Sequence, residues 1–312
     1  LFAAVSGSSA ATTATVGKIT LPELQKRNYD KSLYLGTLAG AGSLGFLIPP
    51  SIVMLVYGIV SGVSIGKLFI AGIIPGILLA SSFALYAIVR CIFNPDLAPR
   101  GDDRYTWKER LQTIPLLLPV IVLIVLVLGS IYTGWATPTE AASVGVLGAL
   151  FFAGVSRSMD FQVFWEALQG SVKTSCMIML IVAGASFLSV AVGYLGIPAR
   201  LTEFIGTLEL TKYQLIVILS VMYIILGFML DGFSMIVMSL PLALPLIKAV
   251  GFDPLWFGIY LVIMIEAAQI TPPVGFNLFV INGLVNENIL RIALYALPSF
   301  IIMFVIVALI TI

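Results

Sequence analysis

A carboxylate, two amides, a threonine, two adjacent prolines and a glycine share one apolar stretch, Glu266-Ala267-Ala268-Gln269-Ile270-Thr271-Pro272-Pro273-Val274-Gly275-Phe276-Asn277-Leu278. The apolar run around it covers residues 255–285, long enough to cross a bilayer. Proline has no N–H, so Pro272 and Pro273 deprive carbonyls about four residues earlier of their helical partners. In hydrocarbon those carbonyls need another partner, and an ion or a bound solute could serve. A helix broken in mid-membrane is a typical binding element of secondary transporters. Taken alone, the stretch also fits a proline kink satisfied by neighbouring helices.

Other polar groups fall inside apolar segments. Asp231, in Met229-Leu230-Asp231-Gly232-Phe233-Ser234-Met235, joins two short apolar arms, 213–230 and 236–247. Intramembrane carboxylates are costly, which makes Asp231 and Glu266 functional candidates. Glu140 differs. Thr137-Pro138-Thr139-Glu140 has the chemistry of a helix start, and stabilising that terminus is its expected role. The remaining polar groups are hydroxyls, amides and freed carbonyls, hard ligands suited to alkali or alkaline-earth cations. With few acids, weak binding of a monovalent ion fits better than calcium. Exposed N–H groups at hairpin tips and half-helix N-termini suit an anionic solute. Proton coupling through Asp231 or Glu266 is one alternative, and the absence of histidine weighs against it. A non-conducting structural or receptor-type membrane subunit, whose polar tips bind no ion, is the other.

The elements that must position these groups are membrane helices. The chain is 312 residues, 60% apolar and 10% charged, with mean hydropathy +1.11. Apolar runs of about 20 residues recur throughout, which excludes a barrel of alternating strands. A net charge of +1 offers nothing to nucleic acid. Cys91 and Cys176 read as packing residues, neither a disulfide nor a metal site. No nucleophile–base pair or phosphate loop appears, so an enzyme has little support, and no pore-lining ring suggests a channel. The first residue is Leu1 and the chain enters a membrane-type segment at once, so it reads as a fragment lacking its N-terminal part.

In order, residues 1–17 are small and hydroxyl-rich, and read as the tip and return arm of a re-entrant hairpin or as a small-residue packing face. Residues 18–31 read as a basic loop. A span over 33–63 is interrupted by Gly42-Ser43-Leu44-Gly45-Phe46-Leu47-Ile48-Pro49-Pro50-Ser51, a second double proline. Helices follow over 67–92, 114–132, 138–155 and 174–195, with a charged loop over 94–112. Residues 161–170 could lie along the interface, and 198–212 form a connection. The hairpin at Asp231, the broken span 255–285 and a last helix over 289–312 complete the chain.

These pieces pair. Ser6-Gly7-Ser8 precedes Pro49-Pro50 by about forty residues, and Asp231 precedes Pro272-Pro273 by nearly the same distance. Hairpin plus broken helix therefore occurs twice, offset by about 225 residues, which makes two independent kinks improbable. The five crossings between the hairpins are odd in number, so the hairpins should enter from opposite sides. That topology puts twelve of the sixteen Lys and Arg residues, Arg100 and Arg104 among them, on one side, with Lys67, Arg200, Lys212 and Lys248 on the other. The richer side is then cytoplasmic. The expected fold is an all-α polytopic membrane protein with an inverted repeat of re-entrant hairpin plus broken helix. Residues 1–63 form the first half of a transport domain, 64–212 the scaffold and arm helices, 213–287 the second half, and 288–312 a terminal helix.

At these motifs the chain resembles the large membrane subunit of TRAP (tripartite ATP-independent periplasmic) transporters. The carrying residues are SGSSAATTATVG at 6–17, GSLGFLIPPSIVMLVYGIVSGVSIGKLFIAGIIPG at 42–76, TPTEAASVG at 137–145, DGFSMIVMSLPLALP at 231–245 and ITPPVGFNLFVI at 270–281. The resemblance implies a sodium-coupled, elevator-type symporter in a bacterial or archaeal inner membrane. It also implies a small membrane subunit and a periplasmic solute-binding protein as partners. The solute would be an organic acid such as a sialic acid or a C4-dicarboxylate, with sodium as coupling ion and no cofactor. By motif, one sodium site would take Ser6, Gly7, Ser8 and Ser9 with Gly42, Ser43 and Gly45. The other would take Asp231, Gly232 and Ser234 with Thr271, Gly275 and Asn277. The solute would lie between the two tips, near Ser9, Thr12, Pro49 and Pro272.

Overall fold

The structure, a computed structural model, describes residues 2–99, 106–208 and 210–312. Arg100 and Arg104 of the charge balance lie outside the described residues. The described residues form helices: α1 Phe2–Ser6, α2 Ser9–Lys26, α3 Lys31–Leu47, α4 Ile52–Ser61, α5 Ile65–Phe93, α6 Trp107–Tyr132, α7 Pro138–Val155, α8 Phe161–Tyr194, α9 Ile197–Thr207, α10 Lys212–Gly227, α11 Gly232–Ala249, α12 Pro254–Gln269, α13 Phe276–Val285 and α14 Ile289–Thr311. A 3₁₀ turn, Pro95–Leu97, follows α5. Among the described residues, five helices are long and apolar enough to cross a membrane, and α3 with α4, bent by 41° at its break, makes a sixth.

Two compact units divide the chain, one within Gly101–Ala183 and the other made of Phe2–Arg100 and Gly184–Ile312. In the first, α6 packs on α7. Ala141 is fully buried, and a Cβ on Gly148 would lie 2.6 Å from a Leu123 methyl, so small residues let the two helices approach closely. Thr137 and Glu140 form a capping box at the start of α7, with Thr137 N–H donating to the Glu140 carboxylate at 2.8 Å. Glu140 thus has the helix-terminal role read from its sequence.

The second unit is built around α12. Every residue from Phe257 to Gln269 is buried, as expected of a helix apolar on all sides. It packs against α3, α4, α5, α10, α11 and α14. Helix α3 packs against α14 so closely that a Cβ on Gly36 would lie 2.2 Å from the Tyr295 carbonyl oxygen. Helix α5 packs on α3, α4, α12 and α14 within the same unit.

Three segments differ from the sequence reading. Residues 18–26 continue α2 where a loop was expected, and the turn is confined to 27–30. Leu21 is buried and Arg27 pairs with Glu23 one turn earlier at 2.7 Å, so packing and good helix formers carry the helix through Pro22. Residues 161–170 are the first turns of α8, without a break before 174. At 1.5 Å per residue this 34-residue helix exceeds the ~30 Å hydrocarbon thickness, so its length accommodates both parts. Within 198–212 the connection is mostly helical, as α9, entered through Gly196 in the left-handed region and Pro198 in the first turn.

Hairpin followed by broken helix occurs twice in this unit. Helices α1 and α2 meet at Gly7 and Ser8, and α3 breaks at 48–51 before α4. Helices α10 and α11 meet at 228–231, and α12 breaks at 270–275 before α13. Both double prolines have a cis peptide bond.

Candidate functional site

The first hairpin tip is held by its own polar residues. Gly7 takes φ +57°, the left-handed region that suits glycine, and turns the chain out of α1. Ser8 caps α2, its hydroxyl oxygen accepting from Ala11 N–H at 3.4 Å. Ser6 and Thr12 hydroxyls lie 2.5 Å apart, and Thr12 also donates to the Ser8 carbonyl at 2.8 Å. This tip lies against the first break. The Ile52 N–H, freed because α4 starts there, donates to the Gly7 carbonyl at 3.4 Å. Ser51 caps α4, accepting from Met54 N–H at 3.3 Å. An ideal Cβ on Gly45 would lie 2.6 Å from the Ser8 carbonyl oxygen, so α2 and α3 approach to backbone contact there. Of the remaining first-half candidates, Pro49 is buried in the break, and Ser43 turns back to donate to its own helix at Gly40.

Below the tip, Ser9 joins both halves of the unit. Its hydroxyl lies 2.9 Å from Glu266 Oε2 and 3.2 Å from the Gly42 carbonyl oxygen, as donor to either. Asn277 Nδ2 donates to Ser9 Oγ at 2.6 Å. Glu266 Oε1 accepts from the Phe46 main-chain N–H at 3.1 Å. Glu266 and Asn277 are fully buried and Ser9 nearly so. Two buried oxygens at this junction, Asn277 Oδ1 and Thr13 Oγ1, have no hydrogen-bond partner. Thr13 faces Gly42, where an ideal Cβ would fall on its hydroxyl.

The second tip is organised differently. Asp231 caps α11, one carboxylate oxygen accepting from Phe233 N–H at 3.1 Å and the other from the Ser234 hydroxyl. An ideal Cβ on Gly232 would lie 2.9 Å from Ile265 and 3.0 Å from the Phe46 ring, placing this tip beside both broken helices. Phe46 and Phe233 meet edge to face, 5.8 Å between centroids. At the second break, Thr271 donates to the Ala267 carbonyl at 2.7 Å, and Gly275, at φ +47°, starts α13. Pro272 is half-buried. The structure therefore seats Asn277 on Ser9 of the first hairpin, whereas the motif assignment grouped it with Asp231. Glu266 and the Phe46 N–H were absent from that assignment. Glu266 is singled out by its sequence as an intramembrane carboxylate and a candidate for proton coupling.

The chain matches along residues 1–312 the DctM component of tripartite ATP-independent periplasmic transporters. It belongs to this family. The C4-dicarboxylate TRAP transporter large permease protein of Pseudomonas aeruginosa is 34% identical over the whole of this chain and 72% of its own length. The ectoine TRAP transporter large permease protein of Halomonas elongata is 32% identical over 99% of this chain and 71% of its own. The isethionate TRAP transporter permease protein DctMQ of Oleidesulfovibrio alaskensis is 32% identical over 95% of this chain and 47% of its own. This TRAP large permease is an all-helical, multi-pass inner-membrane protein.

Proposed function

We propose that this permease carries a small organic anion across the membrane by sodium-coupled symport, alternating access through an elevator-type movement of the hairpin-bearing unit. A periplasmic solute-binding protein would deliver the solute, and a small membrane subunit would complete the transporter. A relative named as a DctMQ permease supports that second partner. The relatives named for C4-dicarboxylate, ectoine and isethionate support a small, charged solute, with a C4-dicarboxylate ahead of a sialic acid.

The observation that carries the reading is the junction of both hairpin–break pairs. Hydroxyl, amide and carbonyl oxygens of Ser9, Gly42, Thr13 and Asn277 gather in a buried place, two of them without a hydrogen-bond partner. Such neutral, hard oxygens suit a monovalent cation. The tips at Ser6–Ser9 and Asp231–Ser234 present helix N-termini, α2 and α11, to an anionic solute. The second reading is proton coupling, favoured by the fully buried Glu266, whose hydrogen bonds come from a hydroxyl and a main-chain N–H.

The test is uptake by the complete transporter in proteoliposomes with its binding protein. Uptake is expected to collapse when the sodium gradient is replaced by potassium. Uptake indifferent to that exchange, but driven by a pH gradient, would establish proton coupling instead.

A further inference from the structure

Glu266 lies at a meeting of four helices. It belongs to α12, and its carboxylate reaches Ser9 of α2 and the Phe46 N–H of α3, while Ser9 is held in turn by Asn277 of α13. The two main-chain groups engaged on α3, the Gly42 carbonyl and the Phe46 N–H, are one helical turn apart. Glu266 thus grips this turn of α3 at Phe46, and Ser9, whose single proton goes to Glu266 or to Gly42, ties α2 to the same place.

The facing surfaces of α2 and α3 explain why such a grip is needed. Gly42 and Gly45 meet Ser8, Thr12 and Thr13, a contact of small residues. Small residues fix how closely two helices approach, but a smooth face resists sliding along the axis poorly. A buried, hydrogen-bonded fork resists it strongly, because displacement leaves a carboxylate and an amide without partners in an apolar interior. The register of α2 on α3 in turn sets where the tip Ser6-Gly7-Ser8 meets the freed Ile52 N–H.

We infer that Glu266 is a positioning residue that fixes the register of the first hairpin on both broken helices through Ser9, and so sets the affinity of the tip for its cation. The affinity clause rests on the proposed sodium coupling. The register clause does not. This role needs the hydrogen-bonding shape of the side chain and not its charge. In Glu266→Gln, the amide oxygen can accept from Phe46 N–H and the amide nitrogen can donate to Ser9. Ser9 would then accept from Gln and Asn277 and donate to Gly42, so the contacts to Ser9 and to Phe46 are both kept. Glu266→Leu keeps the volume and removes both contacts.

The experiment uses the complete transporter in lipid, with native cysteines replaced and spin labels at Ala11 on α2 and Ile59 near the end of α4, both exposed. Distances are measured without sodium and without solute, and uptake is measured against sodium concentration. Wild type and Glu266→Gln are expected to share one narrow distance distribution, and Glu266→Leu to broaden or shift it. The sodium concentration for half-maximal uptake should rise about tenfold in Glu266→Leu and stay within about twofold in Glu266→Gln. If Glu266→Leu does not fold, Glu266→Asp, which withdraws the carboxylate by one methylene, takes its place with the same expectations. A Glu266→Leu distribution identical to wild type overturns the inference, whatever uptake does. Glu266→Gln as damaging as Glu266→Leu overturns it in favour of a charge or proton role. Distances as expected, with uptake indifferent to sodium, support the register role and remove the sodium reading instead.

Discussion

Asp231 and Glu140 are both carboxylates at helix starts, and their neighbours separate them. Asp231 caps α11 beside the two broken helices, whereas Glu140 is exposed at the start of α7. Asn is as good an N-cap as Asp, so Asp231→Asn should leave stability nearly unchanged and isolate the charge. Uptake is expected to fall at least about tenfold in Asp231→Asn and to stay near wild type in Glu140→Gln, whose side chain still completes a capping box. Equal effects on uptake would reduce Asp231 to a cap. Gly45→Ala drives a methyl into the Ser8 carbonyl, 2.6 Å away. Overpacking of this kind costs about 1–3 kcal/mol, so the melting temperature should drop and uptake with it. Unchanged uptake in Gly45→Ala would show that the α2–α3 approach is slack.

Among the elements, the breaks were legible because their cause is local. Pro49-Pro50 and Pro272-Pro273 offer no N–H to the carbonyls that precede them, and α3 and α12 end at Leu47 and Gln269. Thr137-Pro138-Thr139-Glu140 was equally readable, and α7 starts at Pro138. Thr137→Ala should lower stability by about 1 kcal/mol in a detergent melt, with transport unaffected. The continuation of α2 through Pro22 was not legible, since charges at Lys18, Glu23 and Lys26 resemble a loop until Leu21 is seen buried. The continuity of α8 was hidden for a related reason. Its amphipathic start matches an interfacial helix, and only the absence of a break before residue 174 joins it to the span.

At the scale of the molecule, the ends of α3 and α13 are tied at the surface. Lys31 donates to Glu287 at 2.8 Å, and Arg291 lies 3.4 Å from the same carboxylate. The hydrogen bond from Lys31 holds the Glu287 carboxyl below its ordinary value of 4.5. A carboxyl lowered in the folded state adds stability above its unfolded value, and that stability is lost as pH falls through the folded value. The melting temperature of wild type should therefore fall more steeply below about pH 4.5 than that of Glu287→Gln. Parallel curves would show the pair contributes nothing, as many exposed pairs do.

Hydropathy, proline and capping chemistry act within a few residues, so the sequence alone determined that the chain spans a membrane as helices, where two of them break, and that hairpin and break come as a pair. Those signals carry no information about partners far apart in the chain. Asn277 hydrogen-bonds Ser9 across 268 positions, and Glu266 reaches Ser9 across 257. Which hairpin receives the polar groups of the second break was decided by helix packing, because a buried carboxylate or amide must take whatever donors and acceptors the packed neighbours bring within reach.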